Sequence, residues 1–128
     1  MEDKKVINEA DFFSGVFAIL ASRGHEVLLY NQTFEKAMAD IFREFKEHAR
    51  QNGAEMRFRI RLHPLHGDSK TIHHGVASAT QRGILSLDSP GNQLRIKMTK
   101  EEVDTFLATL PNRELFTSLA NRITELFF

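Results

Sequence analysis

The spacing of apolar residues changes from a helical to a strand period near the middle of the chain. In residues 34–45, large apolar side chains recur every three or four positions, which predicts an amphipathic helix. In residues 56–63 they alternate with arginines and a histidine, which predicts a half-buried strand. Because the chain shows no regular alternation of strands and helices, it is expected to fold in the α+β class.

Local signals extend this pattern to the rest of the chain. Asn8 is a candidate N-cap for a first helix that ends at Gly24, and Thr99 to Glu102 has the form of a capping box. Short strands are predicted at 84–87 and 94–98, and a weaker one at 70–80, while residues 27–30 are ambiguous between an edge strand and an extended connector. The expected order is α-α-β-β-β-β-α-α, an antiparallel meander of three or four strands covered on one face by helices. We expect one globular domain over residues 1–128, with residues 1–7 as a loosely ordered lead-in.

Composition excludes several classes of site. The chain has 11 phenylalanines and no tryptophan, which indicates a core filled by rings without a polar group. It has no cysteine, so disulfides, thiolate metal sites and cysteine nucleophiles are excluded, and a reducing, cytoplasmic location is expected. The most apolar stretch, residues 12–21, is about half the length of a membrane span, so no membrane association is expected.

Positive charge is concentrated in the predicted sheet. Residues 55–98 contain seven basic and three acidic residues, a net charge of +4 in a chain whose formal net charge is zero. The strand period places five cations on the face opposite the apolar one: Arg57, Arg59, Arg61, Arg95 and Lys97. This pattern predicts a surface for an anionic partner, either nucleic acid or an acidic protein. The alternative is a solvated face whose charges prevent edge-to-edge pairing of sheets.

A histidine-rich segment at residues 63–74 suggests a second kind of site. His63, His66 and His73 are weak candidates for metal ligands or for the catalytic groups of a small enzyme. Their spacing matches no metal motif, and adjacent residues His73 and His74 would face opposite sides of a strand. Turn and strand residues are the favoured interpretation, so neither a metal nor a cofactor is expected.

The apolar end of the chain permits a third hypothesis. A helical stripe includes Leu119, Ile123, Leu126 and Phe127, which either dock on the chain's own core or form a homodimer interface. The leading hypothesis remains a small, non-enzymatic module that binds an anionic partner. The alternatives are a homo-oligomeric interaction protein that uses the last helix, and a small enzyme or metal site in the histidine-rich segment.

Overall fold

The fold consists of short strands and longer helices that alternate along the first half of the chain. The structure, a computed structural model, describes residues 5–56, 58–60, 62, 69–88, 93–110 and 113–127. Its elements are β1 (Lys5–Ile7), α1 (Glu9–Ser22), β2 (Val27–Leu29), α2 (Gln32–Gln51), β3 (Ala54–Met56), α3 (Lys70–Gln81), β4 (Leu85–Asp88), β5 (Gln93–Ile96), α4 (Lys100–Thr109), α5 (Arg113–Ser118) and α6 (Ala120–Phe127).

The described strands form two separate sheets. Strands β1 and β3 pair in parallel, with Val6 opposite Glu55. Strands β2, β5 and β4 form an antiparallel sheet in that order, so β5 is central. In its register Arg95 lies opposite Val27 on one side and opposite Ser86 on the other.

Helix α1 is the centre of the hydrophobic core. Its cap is formed by Asn8, whose side-chain oxygen accepts a hydrogen bond from the Asp11 backbone N–H at 2.8 Å. Every residue from Phe12 to Leu20 is buried, and α3, α4, α5 and α6 all contact the helix. The Phe12 ring meets the rings of Phe13 and Phe45 edge to face, each at a centroid distance of 5.3 Å. Such rings contribute about 0.5–1.5 kcal/mol per pair beyond their burial.

Comparison with the sequence prediction confirms the α+β class and an antiparallel sheet, but not the order of elements. The strand expected at residues 70–80 is helix α3, because Ser69 caps it and Ile72, Val76 and Ala79 form a buried helical stripe. The ambiguous segment at 27–30 provides edge strand β2, and residues 5–7 of the expected lead-in form β1.

The long strand expected at residues 56–63 is also absent from the described residues of that range. Phe58 and Ile60 lie outside any strand, and the strand in this region is Ala54–Met56. The Phe58 ring instead contacts Phe12 and Phe42, at centroid distances of 5.4 and 5.2 Å. The alternating pattern therefore reflects burial of apolar side chains against helices.

Gly75 allows α3 to approach α1 closely, and its replacement by alanine should destabilise the fold. A Cβ atom at this position would lie 2.5 Å from two ring carbons of Phe13. Overpacking lowers the free energy of unfolding by about 1–3 kcal/mol, whereas the higher helix propensity of alanine raises it by at most about 1 kcal/mol. We expect Gly75→Ala to lower the free energy of unfolding in urea by on the order of 1 kcal/mol.

The matched control is Ala77→Ser, which adds one heavy atom at an exposed position of the same helix. Its effect should stay within about 0.5 kcal/mol. A Gly75→Ala protein as stable as the wild type would contradict the close packing of α3 on α1.

Candidate nucleic-acid interface

Helix α3 presents an exposed face that carries no carboxylate. It begins after the buried Ser69, whose hydroxyl oxygen accepts a hydrogen bond from the Ile72 backbone N–H at 3.3 Å. Opposite the buried stripe, exposed residues recur at i, i+4, i+7 and i+11: Lys70, His74, Ala77 and Gln81. Neither the helix nor its cap contains Asp or Glu, so a bound anion would meet no carboxylate of the helix itself.

A tight turn connects α3 to the β4–β5 hairpin. Gly83 has a φ of 78°, and the Ile84 N–H donates to the carbonyl of Ala79 at 3.0 Å. This pair of features is a Schellman-type C-cap, which requires a left-handed backbone that glycine adopts readily. The turn therefore fixes the direction in which the hairpin leaves the helix.

The hairpin contributes two further exposed cations. Arg95 on β5 is exposed, and its Nε donates to Oδ2 of Asp88 on β4 at 3.3 Å. Lys97 is also exposed, and its backbone N–H bonds the carbonyl of Ile84 at 2.7 Å, which continues the pairing of the hairpin. By alternation, Lys97 lies on the same face of the sheet as Arg95.

Helix α3, the β4–β5 hairpin and residues 97–100, which lead into α4, are together strongly basic. Residues 69–100 contain five cations and one carboxylate, a net charge of +4, so the rest of the chain carries −4. The cations are Lys70, Arg82, Arg95, Lys97 and Lys100, and the carboxylate is Asp88. One continuous segment of the sequence thus has the sign of charge that attracts polyanions.

Two adjacent histidines join α3 to the neighbouring helices. Nε2 of His73 lies 2.8 Å from Oε1 of Glu35 on α2, a carboxylate that is only 3% exposed. Nδ1 of His74 lies 2.9 Å from Oε1 of Glu9 on α1. Because consecutive helical residues point about 100° apart, the two rings reach different helices. Each contact is an ion pair when its histidine is protonated, and each holds α3 in place.

The basic residues predicted from the sequence are only partly brought together. Arg95 lies on β5 and Lys97 directly after it, whereas Arg59 is exposed outside any strand. Arg57 and Arg61 lie outside the described residues. In the described part of the chain, β3 pairs with β1, so the segment that precedes Arg59 does not join the sheet of Arg95.

The histidine candidates form no metal site in the part of the chain that is described. His63 and His66 lie outside it, and His73 is engaged with Glu35. No group of three or more His, Cys, Asp or Glu side chains among the described residues is placed to hold a metal ion.

The last helix docks on the chain's own core. Leu119 and Ile123 are buried, while Leu126 and Phe127 are half-buried, and the Phe127 ring lies 5.6 Å from that of Phe34. Nε of Arg122 donates to both carboxylate oxygens of Glu44 on α2, at 3.0 and 2.8 Å. These hydrogen bonds raise the pKa of Arg122 above its ordinary value. The fold thus uses Leu119 and Ile123 for packing in cis.

Sequence reasoning missed helix α3 and its exposed residues. The helix could have been predicted from Ser69 as an N-cap with apolar residues at helical spacing after it. The absence of any carboxylate from residue 69 to residue 87 could have marked the segment as basic.

Comparison of the chain with protein-family models, curated protein sequences and solved structures finds no match. Among the described residues, no helix is both long enough and apolar enough to cross a membrane.

The two histidines should differ in their contribution to stability. His73→Ala removes an ion-pair partner of a buried carboxylate, which should cost about 1–3 kcal/mol. His74→Ala removes a contact of the more exposed Glu9, and such pairs contribute about 0–1 kcal/mol. Urea unfolding at pH 6 should rank the variants in this order, and equal losses would contradict the distinct roles of the two pairs.

Proposed function

We propose that this protein is a non-enzymatic nucleic-acid-binding module, and that helix α3 and the β4–β5 hairpin form its contact surface. The observation that carries this proposal is the net charge of +4 on residues 69–100, with no carboxylate on the helix. It retains the anionic partner predicted from the sequence, but moves the contact surface from a sheet face to a helix and the hairpin that follows it.

The dimensions of the two elements suit a duplex. The major groove of B-DNA accepts an α-helix or a two-stranded ribbon. Helix α3 has 12 residues and is therefore about 18 Å long. In this proposal Lys70 in the first turn of the helix and Lys97 beside the hairpin contact phosphates, while the exposed Gln81 offers its side-chain amide to base edges.

The order of elements gives independent support. Apart from β1 and β3, which pair with each other, the elements from α1 to the β4–β5 hairpin come in the order α1, β2, α2, α3, β4 and β5, and β2 pairs with β5 rather than with β4. With β1 and β3 set aside, this order resembles that of a winged helix-turn-helix, in which the second helix of the motif enters the major groove. The likeness is one of topology alone. The chain departs from it in the long connection between α2 and α3, which includes β3.

One observation favours an acidic protein as a second candidate partner. On the open face of the three-stranded sheet, Val27 and Leu29 are 39% and 58% exposed, and Val27 lies directly opposite Arg95. A mixed apolar and cationic surface suits a protein better than a duplex. Measurement of nucleic-acid binding at low salt separates the two candidates.

Binding to labelled double- and single-stranded DNA and RNA, measured by fluorescence anisotropy at several salt concentrations, tests the proposal. We expect affinity to fall as salt rises, since phosphate contacts release counterions. A triple variant, Lys70→Ser with Arg95→Ser and Lys97→Ser, should weaken binding. It should also reduce the slope of log affinity against log salt by about 3, because each cation that meets a phosphate contributes about 1 to that slope.

The matched control changes three exposed cations elsewhere, Lys36, Lys46 and Arg113, to serine. It alters net charge equally, so it should keep most of the affinity and the salt slope. Equal losses in both triple variants would show unspecific attraction and overturn the proposed surface. A further triple variant, with Arg57, Arg59 and Arg61 changed to serine, tests the surface predicted from the sequence. No binding at low salt would exclude nucleic acid and favour the acidic protein.

A further inference from the structure

The exposed apolar residues of the described structure are concentrated in one small sheet. Val27, Leu29 and Leu87 are its exposed large hydrophobic residues, and all lie on strands of the β2-β5-β4 sheet. Two of them are on β2, an edge strand only three residues long. An exposed apolar edge strand is a template for pairing with another chain.

The register shows which backbone groups of β2 face outward. The Ile96 N–H donates to the carbonyl of Glu26 at 2.7 Å. Because hydrogen-bonded and non-hydrogen-bonded pairs alternate in an antiparallel ladder, the next hydrogen-bonded pair is Leu28 with Leu94. The N–H and C=O groups of Val27 and Leu29 therefore point away from β5, toward the outer edge. No strand of the described residues lies at that edge.

We propose that this edge pairs with the same edge of a second copy of the chain, antiparallel and about a two-fold axis at Leu28. This register places Val27 opposite Leu29 of the partner subunit, and Leu29 opposite Val27 of the partner subunit. Each of these pairs exchanges two hydrogen bonds, about four in all. The pairing is possible because the outward-facing N–H groups of Val27 and Leu29 in one copy meet the outward-facing C=O groups of Leu29 and Val27 in the other.

The charges around β2 do not oppose pairing with a second copy. Strand β2 contains no charged residue, and the two-fold axis places Glu26 opposite Tyr30 of the partner subunit, so like charges do not meet. The other edge strand, β4, contains Asp88, a carboxylate of the kind that protects edges from pairing.

The apolar surface beside β2 extends the contact. A groove of about 290 Å³ runs along β2 and is also lined by Phe34, Ala37 and Phe127. A second copy at this edge covers the groove together with Val27 and Leu29. The pairing joins two three-stranded sheets into one, and separates the two β5 strands by about 14 Å, three strand spacings. This inference does not depend on nucleic-acid binding.

Sedimentation equilibrium over low-micromolar to millimolar protein concentrations tests the inference. We expect the wild type to show a monomer–dimer equilibrium. Leu29→Lys puts a charge opposite the apolar Val27 of the partner subunit and two like charges diagonally across the new strand pair, so it should weaken dimerisation about tenfold or more. Leu87→Lys is the matched control, because it adds the same charge at a similarly exposed leucine on the opposite edge, and it should leave dimerisation unchanged.

A second variant separates pairing from folding. Leu29→Pro removes an N–H that points outward, so it should abolish dimerisation while the pairing of β2 with β5 is retained. Circular dichroism and urea unfolding verify that each variant is folded. A wild type that stays monomeric at millimolar concentration would overturn the inference. So would a dimer that Leu87→Lys dissociates, or one that the folded Leu29→Lys and Leu29→Pro proteins retain.

Discussion

Burial of helix α1 on all sides is the constraint on which the rest of the structure depends. Nine consecutive residues, Phe12 to Leu20, are withdrawn from water, so the helix has no solvated face in this stretch. A helix of this kind is stable only when other elements surround it completely. Helices α3, α4, α5 and α6 do so, and small residues let them approach: Gly15 lies under the ring of Phe116, and Gly75 under that of Phe13.

The charges that remain outside this core are distributed unequally. On α2 and α6 many carboxylates are paired with nearby cations: Asp40 with Arg43, Glu47 with Arg50, and Glu44 and Glu125 with Arg122. The pKa of Glu47 is lowered by its hydrogen bond and charge interaction with Arg50. The α3 and hairpin segment has only Asp88 to balance its cations. Positive charge is therefore concentrated in one segment of the sequence, although the net charge of the chain is zero.

What the sequence could predict was limited to interactions between residues close along the chain. The caps at Asn8 and Thr99 and the apolar stripe of α2 all follow from local spacing, and the structure contains each of them. Strand partners do not follow from spacing: the parallel pairing of β3 with β1 is invisible to periodicity. Helix α3 was mistaken for a strand because its buried stripe includes small residues, Gly75 and Ala79, which give a weak apolar signal. The surface that we propose for an anionic partner therefore differs from the one predicted from the sequence, although both are basic.

The pairing of β1 with β3 has a consequence for the order in which the chain folds. Lys5 and Ala54 are 49 positions apart, and the intervening chain contains α1, β2 and α2. Closing a loop of this length costs entropy that only a preformed core can offset, whereas helices and the β4–β5 hairpin form from neighbouring residues. The short parallel pair should therefore form late in folding and open first in the native state, with the amide protons of β1 exchanging faster than those of α1.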